Sequence, residues 1–130
     1  MDRERDPYQE TSVAVLDREG RGFAFLRSLN LELGLWRVRS EDELGETTGA
    51  VAVLAAYTPA ELAAGTAMMR GRPTIALGIG LGPREASRAL LLGAIGYVHD
   101  ELDPGTCRQR IDDSFARLRH GLGARRSVAR

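Results

Sequence analysis

The chain has 130 residues, of which 43% are hydrophobic and 28% are charged, and its formal net charge is zero. This length and composition predict one soluble domain with one core, and no apolar run is long enough to cross a bilayer. The balanced charge gives no reason to expect an anionic membrane or direct binding of nucleic acid by this domain.

The cysteine count, the basic residues and the first ten residues give further information on bonding, charge and location. Cys107 is the only cysteine, which excludes an intrachain disulfide and a multi-cysteine metal site. We expect it to be a passenger thiol on a helix. The 18 basic residues are all arginines. Residues 1–10 are polar with no apolar segment behind them, so we expect a flexible leader, no secretory signal and a cytoplasmic protein.

Short apolar runs alternate with helical patterns along the chain. The runs of aliphatic and β-branched residues are typical of strands buried on both faces of a parallel sheet. Between them, apolar residues recur at helical spacing. In chain order, the predicted strands are 12–16, 35–39, 50–55, 73–77 and 95–98, and the predicted helices are 20–33, 41–45, 59–70, 84–92 and 104–120.

Capping residues mark several of the predicted helix ends. Gly34 stands where a C-cap glycine would end the first helix. Ser40 and Glu43 have the spacing of a capping box, and Thr58 followed by Pro59 is typical of a helix start. These signals support the helices predicted from the apolar pattern.

Five strand–helix pairs in alternation predict a parallel sheet with helices on both faces. The expected fold class is α/β, a doubly wound five-stranded parallel sheet of (βα)5 type. It is formed by residues 11–120, with 121–130 as a C-terminal tail or linker. A binding or reactive site in such a sheet lies beyond the carboxyl ends of the strands. The residues at those ends are Asp17, Ala55, Gly78 and Asp100.

The segment around the fifth strand resembles a known family. The motif GAIGYV at 93–98, with Pro104 eight residues after Gly96, is similar to the fifth-strand signature of response-regulator receiver domains, especially those joined to helix-turn-helix output domains. The resemblance implies the flavodoxin-like receiver fold. It also implies a role in two-component, phosphorelay signal transduction or in transcription regulation.

The family's phosphorylation residues are replaced in this chain. Receiver domains have an acidic pair after the first strand, a phosphoacceptor aspartate after the third, a hydroxyl residue after the fourth and a lysine after the fifth. Here Asp17 matches the first acid, whereas the other positions carry Arg18, Ala55, Gly78 and Asp100. The resemblance therefore implies a degenerate pocket that accepts no phosphoryl group. We expect no catalytic residue, bound metal or cofactor, and no enzyme activity.

Two interpretations of the acidic residues at this edge remain open. Asp17, Glu19 and Asp100 have the oxygen ligands that a divalent cation prefers. Alternatively, Arg18 and Arg21 pair with these carboxylates, and this is the interpretation we favour.

The vacated pocket also suggests a second function. Glycine backbones with free N–H groups allow close approach of an anion. Arg18, Gly80 and Gly82 could thus contact an anionic ligand, which would make the chain a small-molecule sensor.

The preferred function is an atypical pseudo-receiver that works by homodimerisation or by docking a protein partner, without phosphorylation. A C-terminal DNA-binding domain after residue 130 would make it the regulatory part of a response regulator. Tyr97 matches the aromatic residue that changes rotamer on activation in the family, and a buried packing tyrosine is the alternative interpretation. The predicted coupling or dimer surface comprises Tyr97, Arg84, Arg88, Arg108, Asp112 and Asp113.

Overall fold

Strands and helices alternate along the part of the chain that the structure, a computed structural model, describes: residues 12–31, 33–45, 51–69 and 71–129. The predicted leader at 1–10 lies outside these residues. The strands are β1 (Ser12–Leu16), β2 (Gly34–Val38), β3 (Ala52–Ala56), β4 (Thr74–Gly78) and β5 (Gly96–His99). The helices are α1 (Arg21–Arg27), α2 (Glu41–Gly45), α3 (Pro59–Met68), α4 (Ala86–Leu91) and α5 (Pro104–Ala129).

The five strands form one parallel sheet in the order β2-β1-β3-β4-β5. This is the strand order of flavodoxin-like doubly wound folds. The order changes direction between β1 and β3, and the carboxyl ends of these neighbours meet at one edge. The predicted fold class is therefore confirmed.

Apolar side chains fill both faces of the sheet. On one face, Leu26 of α1 and Ile111 of α5 pack against Val13, Val53 and Val98 of the strands. On the opposite face, smaller clusters lie under α2 and under α3 and α4. Three of the strands, β3, β4 and β5, are buried along their whole length, as continuous apolar runs predict.

Helix α1 is shorter than predicted. It ends at Arg27 and is followed by a turn in which Asn30 has φ 56°. Asn tolerates this left-handed conformation, which a helix cannot continue. Gly34 consequently opens β2 instead of capping α1, so the prediction of a helix over 20–33 was wrong after residue 27.

The predicted caps of α2 and α3 are present. The Ser40 hydroxyl accepts a hydrogen bond from the Glu43 N–H at 3.2 Å, and the Glu43 carboxylate accepts one from the Arg39 N–H at 2.6 Å. The Thr58 hydroxyl accepts from the Glu61 N–H at 3.0 Å. The Glu43 and Glu61 N–H groups are among those that a helix start leaves free.

The last two helices differ from prediction at one end each. A 3₁₀ turn, Pro83–Glu85, precedes α4, where an α-helix from residue 84 was predicted. Helix α5 continues to Ala129, so the backbone at 121–129 is helical beyond the predicted helix end at residue 120. Its role as a tail or linker stays a prediction. None of the helices in the described ranges combines the length and apolarity needed to span a membrane.

Candidate functional site

The carboxyl ends of the strands bring the predicted pocket residues to one edge. Leu16 is paired with Leu54 in the register of β1 and β3, so Asp17 follows next to Ala55. Gly78 ends β4, and its carbonyl accepts a hydrogen bond from the Asp100 N–H at 3.1 Å. The residues that the resemblance assigned to a degenerate pocket are thus neighbours in the fold.

Asp17 is fully buried at this edge. Its carboxylate accepts hydrogen bonds from the Phe23 N–H at 2.7 Å and the Glu19 N–H at 3.2 Å. A short hydrogen bond from the Tyr57 hydroxyl reaches the same carboxylate, and that hydroxyl also accepts from the Gly22 N–H at 3.1 Å. Asp17 therefore holds the start of α1 and the loop after β3 together.

These contacts shift the pKa values of both Asp17 and Tyr57. Burial alone raises the pKa of Asp17, but hydrogen bonds from Tyr57 and from backbone N–H groups outweigh it and bring the pKa below its ordinary value. Burial, with the hydrogen bond to Asp17, raises the pKa of Tyr57 to about 12. At neutral pH the pair is a carboxylate and a neutral phenol.

Charged side chains surround the Tyr57 ring. The guanidinium carbons of Arg18 and Arg21 lie 5.3 and 4.8 Å from the ring centroid. Arg21 pairs with Glu19 at 2.7 Å and Arg18 with Glu61 at 2.5 Å. The Glu61 carboxylate also accepts a hydrogen bond from the Tyr57 N–H at 2.8 Å. We call this set the Tyr57 cluster; it comprises Asp17, Arg18, Glu19, Arg21, Tyr57 and Glu61.

The cluster answers the question about the acidic residues. Glu19 pairs with both arginines, as one of the two interpretations held. Asp17 instead binds Tyr57, and the Asp100 carboxylate accepts from the Gly80 N–H at 3.0 Å. Among the residues that the structure describes, no three His, Cys, Asp or Glu side chains are grouped as a metal site requires.

Ala55, which the resemblance places at the phosphoacceptor position, faces the backbone of α1. A Cβ atom added at Gly22 would lie 2.6 Å from the Ala55 Cβ. Helix and strand are therefore in direct contact here, and Ala55 is only 7% exposed. The contact depends on two small residues, and a larger side chain at either position would separate α1 from β3.

Gly78, which the resemblance places at the hydroxyl position, is in contact with Tyr97. A Cβ atom added at Gly78 would lie 2.5 Å from the Tyr97 hydroxyl oxygen. That hydroxyl donates a hydrogen bond to the Gly82 carbonyl at 2.8 Å, and the Tyr97 ring is stacked against His99. Burial raises the pKa of Tyr97 to about 12. The absence of a side chain at Gly78 leaves room for the inward position of Tyr97.

Two of the three proposed anion contacts, Arg18 and Gly80, are already engaged within the protein. Arg18 is paired with Glu61, and the Gly80 N–H donates to Asp100. At Gly82 the carbonyl accepts a hydrogen bond from Tyr97, which leaves the N–H group that an anion would need out of this contact. These contacts give no support to an anion site made of Arg18, Gly80 and Gly82.

The surface formed by α4, β5 and α5 carries exposed apolar side chains. Leu90 is 50% exposed and Leu91 is 86% exposed on α4. Beside them lies a groove of about 250 Å³ between α4 and α5. Arg84 and Arg88, both predicted for this surface, are exposed on the 3₁₀ turn and on α4. Tyr97 lies at the base of the groove and is itself buried.

The α5 contribution to this surface differs from the prediction. Arg108 points to the α1 side, where it donates to the Leu29 carbonyl at 3.4 Å, and Asp112 follows one helical turn later. Neither residue lines the groove, whereas Asp113 does. Arg110 and Arg117 line it and were missed, although their spacing from Asp113 at i−3 and i+4 puts all three on one helical face.

Tyr57 was also missed by the sequence analysis. Its position gives no local signal, because its hydroxyl reaches Asp17 forty residues away in the chain. Only the register of β1 and β3 brings the two side chains together.

The fold resembles that of solved response regulators. A response regulator from Thermotoga maritima has a TM-score of 0.66 and 14% identity over 82% of this chain and 98% of its own. A response regulator receiver protein from Burkholderia phymatum has a TM-score of 0.61 and 17% identity over 82% and 96%. An orphan response regulator of H. pylori has a TM-score of 0.58 and 11% identity over 81% and 96%. No family model and no curated protein matches the sequence. The chain therefore has the receiver fold of response regulators.

Proposed function

We propose that this chain is a pseudo-receiver that transmits signals by binding and not by accepting a phosphoryl group. The carrying observation is the hydrogen bond between the Tyr57 hydroxyl and the buried Asp17 carboxylate. In a working receiver, the first acid would have to be open to a divalent cation. Here its oxygens are bonded to Tyr57 and to backbone N–H groups, so Asp17 has little capacity for a metal ion.

The contacts of Ala55 and Gly78 support the same proposal. Ala55 offers no nucleophilic oxygen, and α1 lies directly against it. Gly78 offers no hydroxyl, and the Tyr97 side chain fills the space beside it. Phosphoryl transfer depends on positioned groups that neutralise charge, and the residues at this edge are engaged in packing and in ion pairs with each other.

The binding surface in this proposal is that of α4, β5 and α5. Exposed leucines beside charged side chains of both signs are typical of a protein interface with an apolar centre and a polar rim. Leu90 and Leu91 would form the centre, with Arg110, Asp113 and Arg117 beside them. A second copy of the chain or an acidic and apolar protein partner would fit this surface. The buried Tyr97 would hold the base of the groove in one conformation.

Intact mass after incubation with acetyl phosphate and Mg²⁺ tests the lack of phosphorylation. We expect no phosphoryl adduct and an unchanged assembly state in light scattering after size exclusion. A single adduct on an aspartate would refute the proposal. A receiver domain known to be phosphorylated by acetyl phosphate serves as the positive control.

Substitution of the apolar centre tests the binding surface. Leu91→Arg should convert a dimer to a monomer in light scattering, because it puts a charge at the centre of the contact. Ala24→Arg, on the exposed side of α1, is the matched control and should leave the assembly unchanged. If the wild type is a dimer and both variants remain dimers in light scattering, the interface lies elsewhere.

A further inference from the structure

A cleft of about 480 Å³ lies between α2 and α3 at the carboxyl ends of β1 and β3. This volume is in the range of small-molecule sites. Its apolar lining comes from Leu16 and Leu54 of the sheet and from Ala64 and Met68 of α3. Met68 is 39% exposed, so an apolar group in the cleft would cover a side chain that is otherwise in water.

Small residues keep this cleft open. Ala55 and Gly65 belong to its lining together with Ala64. A Cβ atom at Gly65 would lie 2.7 Å from a Leu54 methyl group, so the glycine allows α3 to pack closely on β3. A larger side chain at Ala64, which is exposed at the cleft, would fill the space without altering that packing.

The charged side chains at the rim of the cleft differ in whether they form an ion pair with each other. Arg18 and Glu61 are paired with each other at 2.5 Å and neutralise one another. Arg39 and Asp42 also line the cleft and are exposed. Within the ranges that the structure describes, neither of these side chains makes an ion pair. The rim therefore offers one uncommitted guanidinium and one uncommitted carboxylate, three residues apart, beside an apolar floor.

We propose that this cleft binds a small zwitterion with an apolar side chain, the chemistry of an apolar α-amino acid. The ligand carboxylate would bind the Arg39 guanidinium, the ligand ammonium would bind the Asp42 carboxylate, and the side chain would contact Leu16, Leu54 and Met68. Each charged contact adds a charge-assisted hydrogen bond. This ligand site is separate from the surface of α4, β5 and α5, and the binding test below does not depend on dimerisation or on phosphorylation.

Leucine and two analogues, each lacking one of its charged groups, test the proposal by isothermal titration and by amide chemical shifts of the intact chain. The analogues are 4-methylpentanoic acid, which lacks the ammonium, and 3-methylbutylamine, which lacks the carboxylate. Leucine should bind about 5-fold more tightly than either analogue, as expected for one exposed charge-assisted contact each. The shifted amides should be those that line the cleft.

Charge variants assign the two contacts. Arg39→Gln should weaken leucine and 4-methylpentanoic acid but leave 3-methylbutylamine unchanged. Asp42→Asn should weaken leucine and 3-methylbutylamine but leave the acid unchanged. Arg84→Gln and Asp112→Asn remove the same charges elsewhere on the exposed surface and should change none of the three affinities.

A steric variant tests the location independently of charge. Ala64→Trp should abolish binding of all three compounds, whereas Ala24→Trp, on the exposed side of α1, should not affect it. Circular dichroism of both variants checks that the fold is retained. The proposal is overturned if leucine does not bind, if an analogue binds as tightly as leucine, or if a folded Ala64→Trp protein binds leucine like the wild type.

Discussion

Two tyrosine hydroxyls at the sheet edge donate hydrogen bonds to different kinds of acceptor. The Tyr57 hydroxyl donates to a buried carboxylate, whereas the Tyr97 hydroxyl donates to a neutral carbonyl. Hydrogen bonds to charged groups are the stronger kind. Tyr57→Phe should therefore lower the free energy of unfolding by about 1.5–3 kcal/mol, and Tyr97→Phe by about 1 kcal/mol. Urea denaturation measures both, and the reverse order would contradict the role given to Asp17.

The contact between Gly78 and Tyr97 gives a second prediction at this scale. Gly78→Thr should force the Tyr97 ring out of its inward position and lower the free energy of unfolding by about 1–3 kcal/mol, the cost of overpacking. The pKa of Tyr97 should fall from about 12 towards its ordinary value as the ring becomes exposed. Spectrophotometric titration of tyrosinate measures this fall.

The control for this prediction is a second glycine nearby. Gly82→Ala adds a Cβ atom whose nearest neighbour, at 3.4 Å, is a Glu101 carboxylate oxygen, so it should leave the Tyr97 titration unchanged. The double variant Gly78→Thr with Tyr97→Ala should lose less stability than the sum of its single changes, because the clash is removed. Additive losses would mean that the two side chains do not compete for space.

Strands and helices were predictable from the sequence where burial decides the pattern of apolar residues. The apolar runs predicted both ends of all five strands to within two residues, and the strict alternation of strands and helices predicted the sheet. The end of α1 could not be predicted, because Leu29 and Leu33 continue the apolar spacing beyond Arg27, where the helix ends. The two glycines after residue 120 favoured a tail, yet the helix continues through them. The site was predictable only where a family position could be counted; Tyr57 and the cleft depend on tertiary contacts.

The turn that ends α1 carries a prediction at the scale of the element. Asn30 has a left-handed backbone with φ 56°, a conformation that disfavours a residue with an ordinary Cβ by about 1–2 kcal/mol. Asn30→Ala should lower the thermal midpoint, whereas Asn30→Gly should keep or raise it. Calorimetry of the pair measures the difference, and equal midpoints would show that this turn does not set the end of α1.

At the scale of the whole molecule, the Asp17–Tyr57 pair links the sheet edge to global stability at both ends of the pH range. The pKa of Asp17 is depressed in the folded state. Its contribution is therefore present above the ordinary aspartate pKa and is lost as the pH falls through the folded value. The pKa of Tyr57 is raised to about 12. Its contribution is complete below the ordinary tyrosine pKa and is lost as the pH rises from about 10 to 12.

The two tyrosines separate these contributions, because the pKa of Tyr97 is also raised but its hydroxyl donates to a carbonyl oxygen and not to a carboxylate. Tyr57→Phe should reduce the dependence of unfolding free energy on pH both below about pH 4 and above about pH 10. Tyr97→Phe should reduce only the alkaline dependence. Urea denaturation across the pH range distinguishes the variants. If both variants reduce the acid dependence of the unfolding free energy equally, Tyr57 is not the specific cause of the depressed pKa of Asp17. If neither variant reduces it, the backbone N–H groups at the start of α1 alone stabilise the carboxylate. Either result would show that the hydrogen bond from Tyr57 does not set the pH dependence of Asp17, and the proposed lack of phosphorylation would then rest on Ala55, which has no oxygen to phosphorylate.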